Sequence, residues 1–212
     1  MSDLRVYSKQ QSISRATDDT WVALRATRDG SPIVTPWLTA LALEGKVYQV
    51  RVGTITTPIT GDVLITDTAA EAAASPPTGT TIIPVSLQFT FEAITTLADI
   101  AAKSVGAIHT AQTTVFLPLN LRIGGGAATS TAGVGTAGGV TVAAEAVTTT
   151  RVHYVSVSAT AADAPTCADK EFTVPPILVG PSCFYVQIAG PVTAPTYFGN
   201  FNFVELVTTD VT

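Results

Sequence analysis

His109 and His153 are the only histidines in the 212-residue chain, so any metal or general-base chemistry would centre on them. No Cys or carboxylate stands at metal-ligand spacing from either. His153 shares an alternating face with Val155 and Val157, the pattern of a packed strand histidine. A Ser/His/Asp triad can assemble from distant positions, but no G-x-S-x-G elbow is present. Glu92, Asp99, Glu145 and Glu171 could supply a paired-carboxylate site, yet no spacing links them, and they read as solvated surface acids. Gly133-Val-Gly135-Thr-Ala-Gly138 fits G-x-G-x-x-G. That fingerprint works only between a buried strand and a helix N-terminus. Here it follows Gly124-Gly-Gly126 and precedes the strand-like Val140-Thr-Val-Ala, so the reading is a glycine-rich loop over Gly124–Gly139. Such loops are exposed or order against a neighbour. Gly124, Gly133 and Gly138 are therefore expected contact positions. The chain is read as a non-enzyme without metal or cofactor.

A second group is aromatic. Phe184, Tyr185, Tyr197, Phe198, Phe201 and Phe203 place six of the chain's aromatic residues within twenty positions. On the last strand Tyr197, Phe201 and Phe203 fall on one face. Phe198, Asn200, Asn202, Val204 and Leu206 fall on the other. A strand apolar on both faces is usually covered on both. Tyr185, Tyr197 and Phe198 could alternatively form an exposed stacking platform for a sugar or base.

The elements that must position these groups are strands. Val85-Ser-Leu87-Gln-Phe89-Thr-Phe91-Glu alternates cleanly. So does Val115–Ile123, whose odd positions are aliphatic and whose Pro118 removes a ladder donor, marking an edge or bulge. Further strands are expected at Trp21–Arg28, Trp37–Leu43, Lys46–Ile55, Val63–Thr66, Val140–Ala143, Val147–Ser158, Phe172–Val174, Cys183–Ile188 and Tyr197–Val207. Thr68-Ala-Ala-Glu71 reads as a capping box opening a short helix through Ala74, which Pro76-Pro77 ends. Thr95–Lys103 reads as a second helix. About ten short strands separated by turns predict one all-β sandwich over residues 16–212, preceded by an N-terminal arm over residues 1–15.

Composition sharpens this. Only 13% of residues are charged and mean hydropathy is +0.38, so disorder is excluded. Net charge is −5, from 11 basic and 16 acidic residues, too few clustered cations to grip a duplex. Arg5, Lys9 and Arg15 make the arm weakly basic; at most it touches nucleic acid loosely. Residues 123–144 are uncharged but carry seven glycines, which argues against a membrane span. The N-terminus lacks a signal-peptide core. Cys167 and Cys183 are too few for a disulfide scaffold, though their spacing permits one bridge. Outward strand positions hold Thr, Ser, Ala, Gln and Asn, where a free monomer carries about 25–35% charged residues. Such a surface suits burial between subunits.

Three segments carry a resemblance: Gly53-Thr-Ile-Thr-Thr-Pro-Ile-Thr-Gly61, Gly79-Thr-Thr-Ile-Ile-Pro-Val-Ser-Leu87, and Pro181-Ser-Cys-Phe-Tyr-Val-Gln-Ile-Ala-Gly190 with Thr196-Tyr-Phe-Gly-Asn-Phe-Asn-Phe-Val-Glu-Leu206. In pattern the chain resembles the single jelly-roll structural proteins of virions, particularly those of bacterial viruses. The resemblance implies two facing four-stranded sheets, end loops that make subunit contacts, and assembly with copies of itself and other virion proteins. It implies a protein made in the host cytoplasm and housed in the virion, as a capsid-shell subunit or a shell-attached protein. No catalytic residues carry over. The competing expectation is a receptor- or carbohydrate-binding tail or spike sandwich.

Overall fold

A computed structural model describes residues 6–7, 21–22, 36–93, 97–112, 114–147, 149–158 and 166–211. In chain order the strands are β1 Val6–Tyr7, β2 Trp21–Val22, β3 Val47–Val52, β4 Ile59–Thr60, β5 Ala69–Ala70, β6 Ala72–Ser75, β7 Thr80–Ala93, β8 Leu97–Val105 and β9 Thr114–Phe116. They continue with β10 Leu119–Asn120, β11 Thr131–Val134, β12 Val140–Thr141, β13 Arg151–Ser158, β14 Thr166–Glu171, β15 Leu178–Val179, β16 Cys183–Ala189 and β17 Thr196–Val207. One α-helix is described, α1 at Trp37–Leu43, and a 3-10 turn follows β17.

The fold is an all-β sandwich of two antiparallel sheets. One runs β10-β3-β17-β7-β14, with β4 added on β17 and β15 on β7. The other runs β13-β8-β16-β6-β11-β9. Eight strands pair from the ends inward, β3 with β17, β6 with β16, β7 with β14, and β8 with β13, while β11, as short as β6, adds to the far side of β6. A second set of pairings, β17 with β7 and β16 with β8, zips these couples into the two sheets.

The core lies between the sheets. Tyr48, Val50, Leu87, Phe89, Phe91, Tyr197, Phe201 and Phe203 come from one side, and Ala98, Ile100, Ala102, Phe184, Val186 and Ile188 from the other. Phe184 meets Phe201 edge-on across the gap, with ring centroids 5.3 Å apart, a favoured aromatic arrangement. Strand β7 keeps one apolar face along 14 residues by means of a bulge. Asn202 pairs with Ser86 and Phe203 with Pro84, so Val85 is the extra residue. Ile82 before it and Leu87, Phe89 and Phe91 after it then all point inward. Val85, expected on that inner face, is only half-buried.

A smaller apolar layer covers the outer face of the six-stranded sheet. Ala73, Val105, Cys183 and Tyr185 point outward there and are roofed by Ala70, Val140 and Val142, where β5 pairs with β12.

Several expected elements are corrected. Trp37–Leu43 is a helix, because Leu and Ala are strong helix formers and the end is well capped. The Gly45 N–H bonds Ala42 O and the Lys46 N–H bonds Leu41 O, with Gly45 at φ +72°, which is a Schellman motif. Conversely, the expected helices at Thr68–Ala74 and Thr95–Lys103 do not form where they are described: the chain runs as β5, β6 and β8, with Thr68 in a turn and Glu71 in a bend. Central strand β16 carries large side chains on both faces and needs small neighbours. Ala72, Ala73 and Ala74 stand opposite Val186, Tyr185 and Phe184, and Ala102 stands opposite Val186 on the other flank. Pairing overrides the helical preference of alanine. Val63–Thr66 and Phe172–Val174 are irregular, and Val147–Ser158 is a strand only from Arg151. Val115–Ile123 breaks at Leu117-Pro118 into β9 and β10, which sit at the margins of different sheets. Beyond Trp21–Val22, the rest of Trp21–Arg28 lies outside the described residues.

Candidate functional site

The margin of the seven-stranded sheet at β10 and β3 carries an unusually apolar surface. Six of the seven residues of α1 (Trp-Leu-Thr-Ala-Leu-Ala-Leu) are apolar, yet none is buried. Trp37 is 56% and Leu43 68% exposed. The Schellman turn leads directly into β3, and Asn120 Nδ2 donates to Gly45 O at 2.9 Å, tying the helix end to β10. Leu117, Leu119, Leu121 and Ile123 beside it are also exposed. The alternating aliphatic positions read from the sequence are therefore real, but their apolar side faces out. Exposed apolar surface of this kind marks interaction sites.

The adjoining glycine-rich segment is not one continuous loop. Asn120 Nδ2 also donates to Gly126 O, and the Glu205 carboxylate accepts from the backbone N–H groups of Thr129 and Ser130 at 2.7 and 2.8 Å. The chain then enters the six-stranded sheet as β11, between β6 and β9. Gly124 is exposed at φ +79°. Gly133 is buried in β11, where a Cβ would lie 2.9 Å from Gln112 Cβ. Gly138, at φ +70°, donates its N–H to Glu71 Oε1 at 3.2 Å. Of the three expected contact glycines, Gly124 is exposed, Gly138 half-buried and Gly133 buried. The G-x-G-x-x-G match leads into β12, not a helix.

Several ionisable groups are buried. Glu71, expected as a helix cap, is 2% exposed, and its Oε2 accepts from the Ile188 N–H at 2.8 Å. Burial pushes its pKa up to about 8, against the opposing pull of these backbone donors. Tyr197 is raised by burial and by the neighbouring Glu71. Lys103 is buried on the outer face of β8 and pairs with Glu145; burial lowers its pKa and Asp67 opposes the shift. The pair lines a pocket of about 400 Å³ with Asp99 and Tyr154.

The histidines are structural in their contacts. Ser75 Oγ lies 2.6 Å from His109 Nδ1 and also accepts from the His109 N–H. This is nucleophile-to-base distance, but both residues are buried and neither lines the pocket just described. The closed pair fastens the chain after β8 onto β6. Half-buried His153 packs on Phe172 at 4.6 Å. Among the described residues no three His, Cys, Asp or Glu side chains converge on a metal-sized site.

The expected stacking platform does not form. Tyr185 and Tyr197 are fully buried in different sheets, and only Phe198 is half-exposed. Tyr197 lies in the core between the sheets and Tyr185 in the small layer outside the six-stranded sheet, placements that the aromatic count alone does not give. Cys167 is exposed and Cys183 buried, and both are free thiols. Arg5, Lys9 and Arg15 lie outside the described residues. Sequence reasoning missed Glu205 as an anchor, although an acid between Val204 and Leu206 in an apolar strand is itself a sign of a buried partner. Compared with known protein families, curated proteins and solved structures, the chain finds no match.

Proposed function

We propose that this chain is a structural subunit of a virion, a jelly-roll brick in the capsid shell or attached to it, which assembles with copies of itself and other shell proteins. The end-to-end pairing order supports the jelly-roll part of this reading. An eight-strand hairpin whose first strand pairs with its last, second with seventh, third with sixth and fourth with fifth becomes two Greek keys when wrapped around a core. The observation that carries the assembly part is α1, an apolar helix that the chain displays instead of burying. With Leu119 and Leu121 it forms an apolar margin on a protein with few charges. Obligate interfaces resemble a core cut in half, which is the character of this margin.

Sedimentation velocity and negative-stain microscopy over rising concentration test the reading. The full chain is expected to form discrete oligomers or shells. Trp37→Ser with Leu119→Ser and Leu121→Ser should shift it toward monomer with its melting temperature little changed, since all three side chains are exposed. Removal of residues 1–15 should weaken assembly without unfolding the sandwich. A chain that stays monomeric at millimolar concentration overturns the proposal.

A further inference from the structure

The outer face of the seven-stranded sheet is organised in rows that cross four strands. Arg51 of β3, Asn200 of β17, Gln88 of β7 and Asp169 of β14 stand side by side in register. The next row is Gln49, Asn202, Ser86 and Glu171. Neighbouring strands are about 4.8 Å apart, so a row spans about 14 Å. Within the second row the side chains are mutually fixed: Gln49 Nε2 donates to Asn202 Oδ1 at 3.1 Å, and Asn202 Nδ2 donates to Ser86 Oγ at 3.0 Å.

The first row differs. Arg51, Gln88 and Asn200 make no side-chain hydrogen bond or ion pair among the described residues, and they line a groove of about 260 Å³. Its wall is the turn after β3, where Gly53 takes φ +65° and the Thr57 N–H bonds Thr54 Oγ1 at 3.0 Å, holding Ile55 at the rim. Half-exposed Phe198 lies in the same groove. The groove lining contains one cation and no carboxylate; Glu92, Asp169 and Glu171, acids on this face, are not part of it.

We infer that this groove binds an acidic saccharide. Amide side chains pair with vicinal hydroxyls by donating and accepting together. An aromatic ring supports the C–H face of a sugar through apolar contact. An unpaired guanidinium takes an anionic substituent in two parallel hydrogen bonds. Three chemistries of sugar recognition therefore converge on a concave surface near the small end of ligand pockets. Unlike the margin at α1, this surface is polar and preorganised by its fixed second row. The inference does not depend on the assembly reading.

A glycan array probed with the full chain, carrying uronate-, sialate- and sulfate-terminated saccharides beside neutral analogues, followed by titration calorimetry on the best pair, tests it. The acidic member should bind about tenfold or more tightly than its neutral analogue, the size of one charge-assisted contact. Arg51→Gln should abolish that preference while neutral binding persists. Gln88→Ala should weaken both alike, and Phe198→Ala should do the same if its melting temperature is unchanged. Uronate against sulfate separates the two sources of anionic charge. Absence of saccharide binding, equal binding of acidic and neutral forms, or an unchanged preference in Arg51→Gln overturns the proposal. So does an Arg51 or Gln88 variant that alters only the sedimentation of the chain.

Discussion

Glu71 Oε2 accepts a hydrogen bond from the backbone N–H of Ile188 at 2.8 Å, joining the residue before β6 to the C-terminal end of β16. Burial dominates the energetics of this carboxyl and holds its pKa near 8, against 4.5 for the free group. Between those values the folded state keeps a proton that the unfolded state has released. The sign follows directly: stability is fully present below about pH 4.5, falls as pH rises, and levels off above about pH 8. The loss is at most about 5 kcal/mol. Urea unfolding from pH 5 to pH 9 should show this decline, and Glu71→Gln, which cannot titrate, should flatten it.

Glu205 holds the segment before β11 by accepting from two consecutive backbone donors, Thr129 and Ser130. Glu205→Ala leaves both N–H groups without their acceptor, that of Ser130 in a buried position, a cost of about 1–3 kcal/mol. Chemical denaturation should read that loss. Hydrogen exchange at Thr129 and Ser130 should accelerate, while the inner amides of β17 keep their protection until global unfolding.

The two thiols should separate cleanly by reactivity. Cys167 is exposed at the sheet edge, whereas Cys183 is fully buried, and burial pushes its thiol up to about 12. The thiolate is the reactive form. A disulfide reagent should therefore modify one thiol per chain under native conditions and the second only in concentrated guanidinium chloride. Cys167→Ser should abolish the fast phase, and Cys183→Ser should leave it intact.

How far the sequence spoke depends on the kind of signal each residue emits. Alternation in Val85–Glu92 and in the last strand identified the centre of the seven-stranded sheet, because half-buried strands repeat every two residues. Tyr197, Phe201 and Phe203 were likewise assigned to one face, and all three are buried there. Ala72–Ala74 and Ala98–Ala102 misled, since alanine is silent about strand pairing and eloquent about helices; Phe184 and Tyr185, far away in the chain, decide their state. Leu117–Ile123 showed its period but not which side faces water. For the candidate surfaces, the low charge and the Asn and Gln of the outer positions were visible. The rows that gather Arg51, Asn200 and Gln88 were not, because register across three strands is a property of tertiary pairing alone.

The pairing of the first long strand with the last has a temporal side. Gln49 and Asn202, joined by a hydrogen bond, stand 153 positions apart. On the ribosome β3 leaves the tunnel long before β17, and apart from its two-residue pairing with β10 it waits until β17 has been made. Topologies closed by such distant contacts fold slowly, because the entropy of a long loop is lost before the contact is gained. Throughout that wait an apolar helix and an unpaired strand edge sit side by side on the nascent chain, so the moment of greatest stickiness precedes completion of the fold.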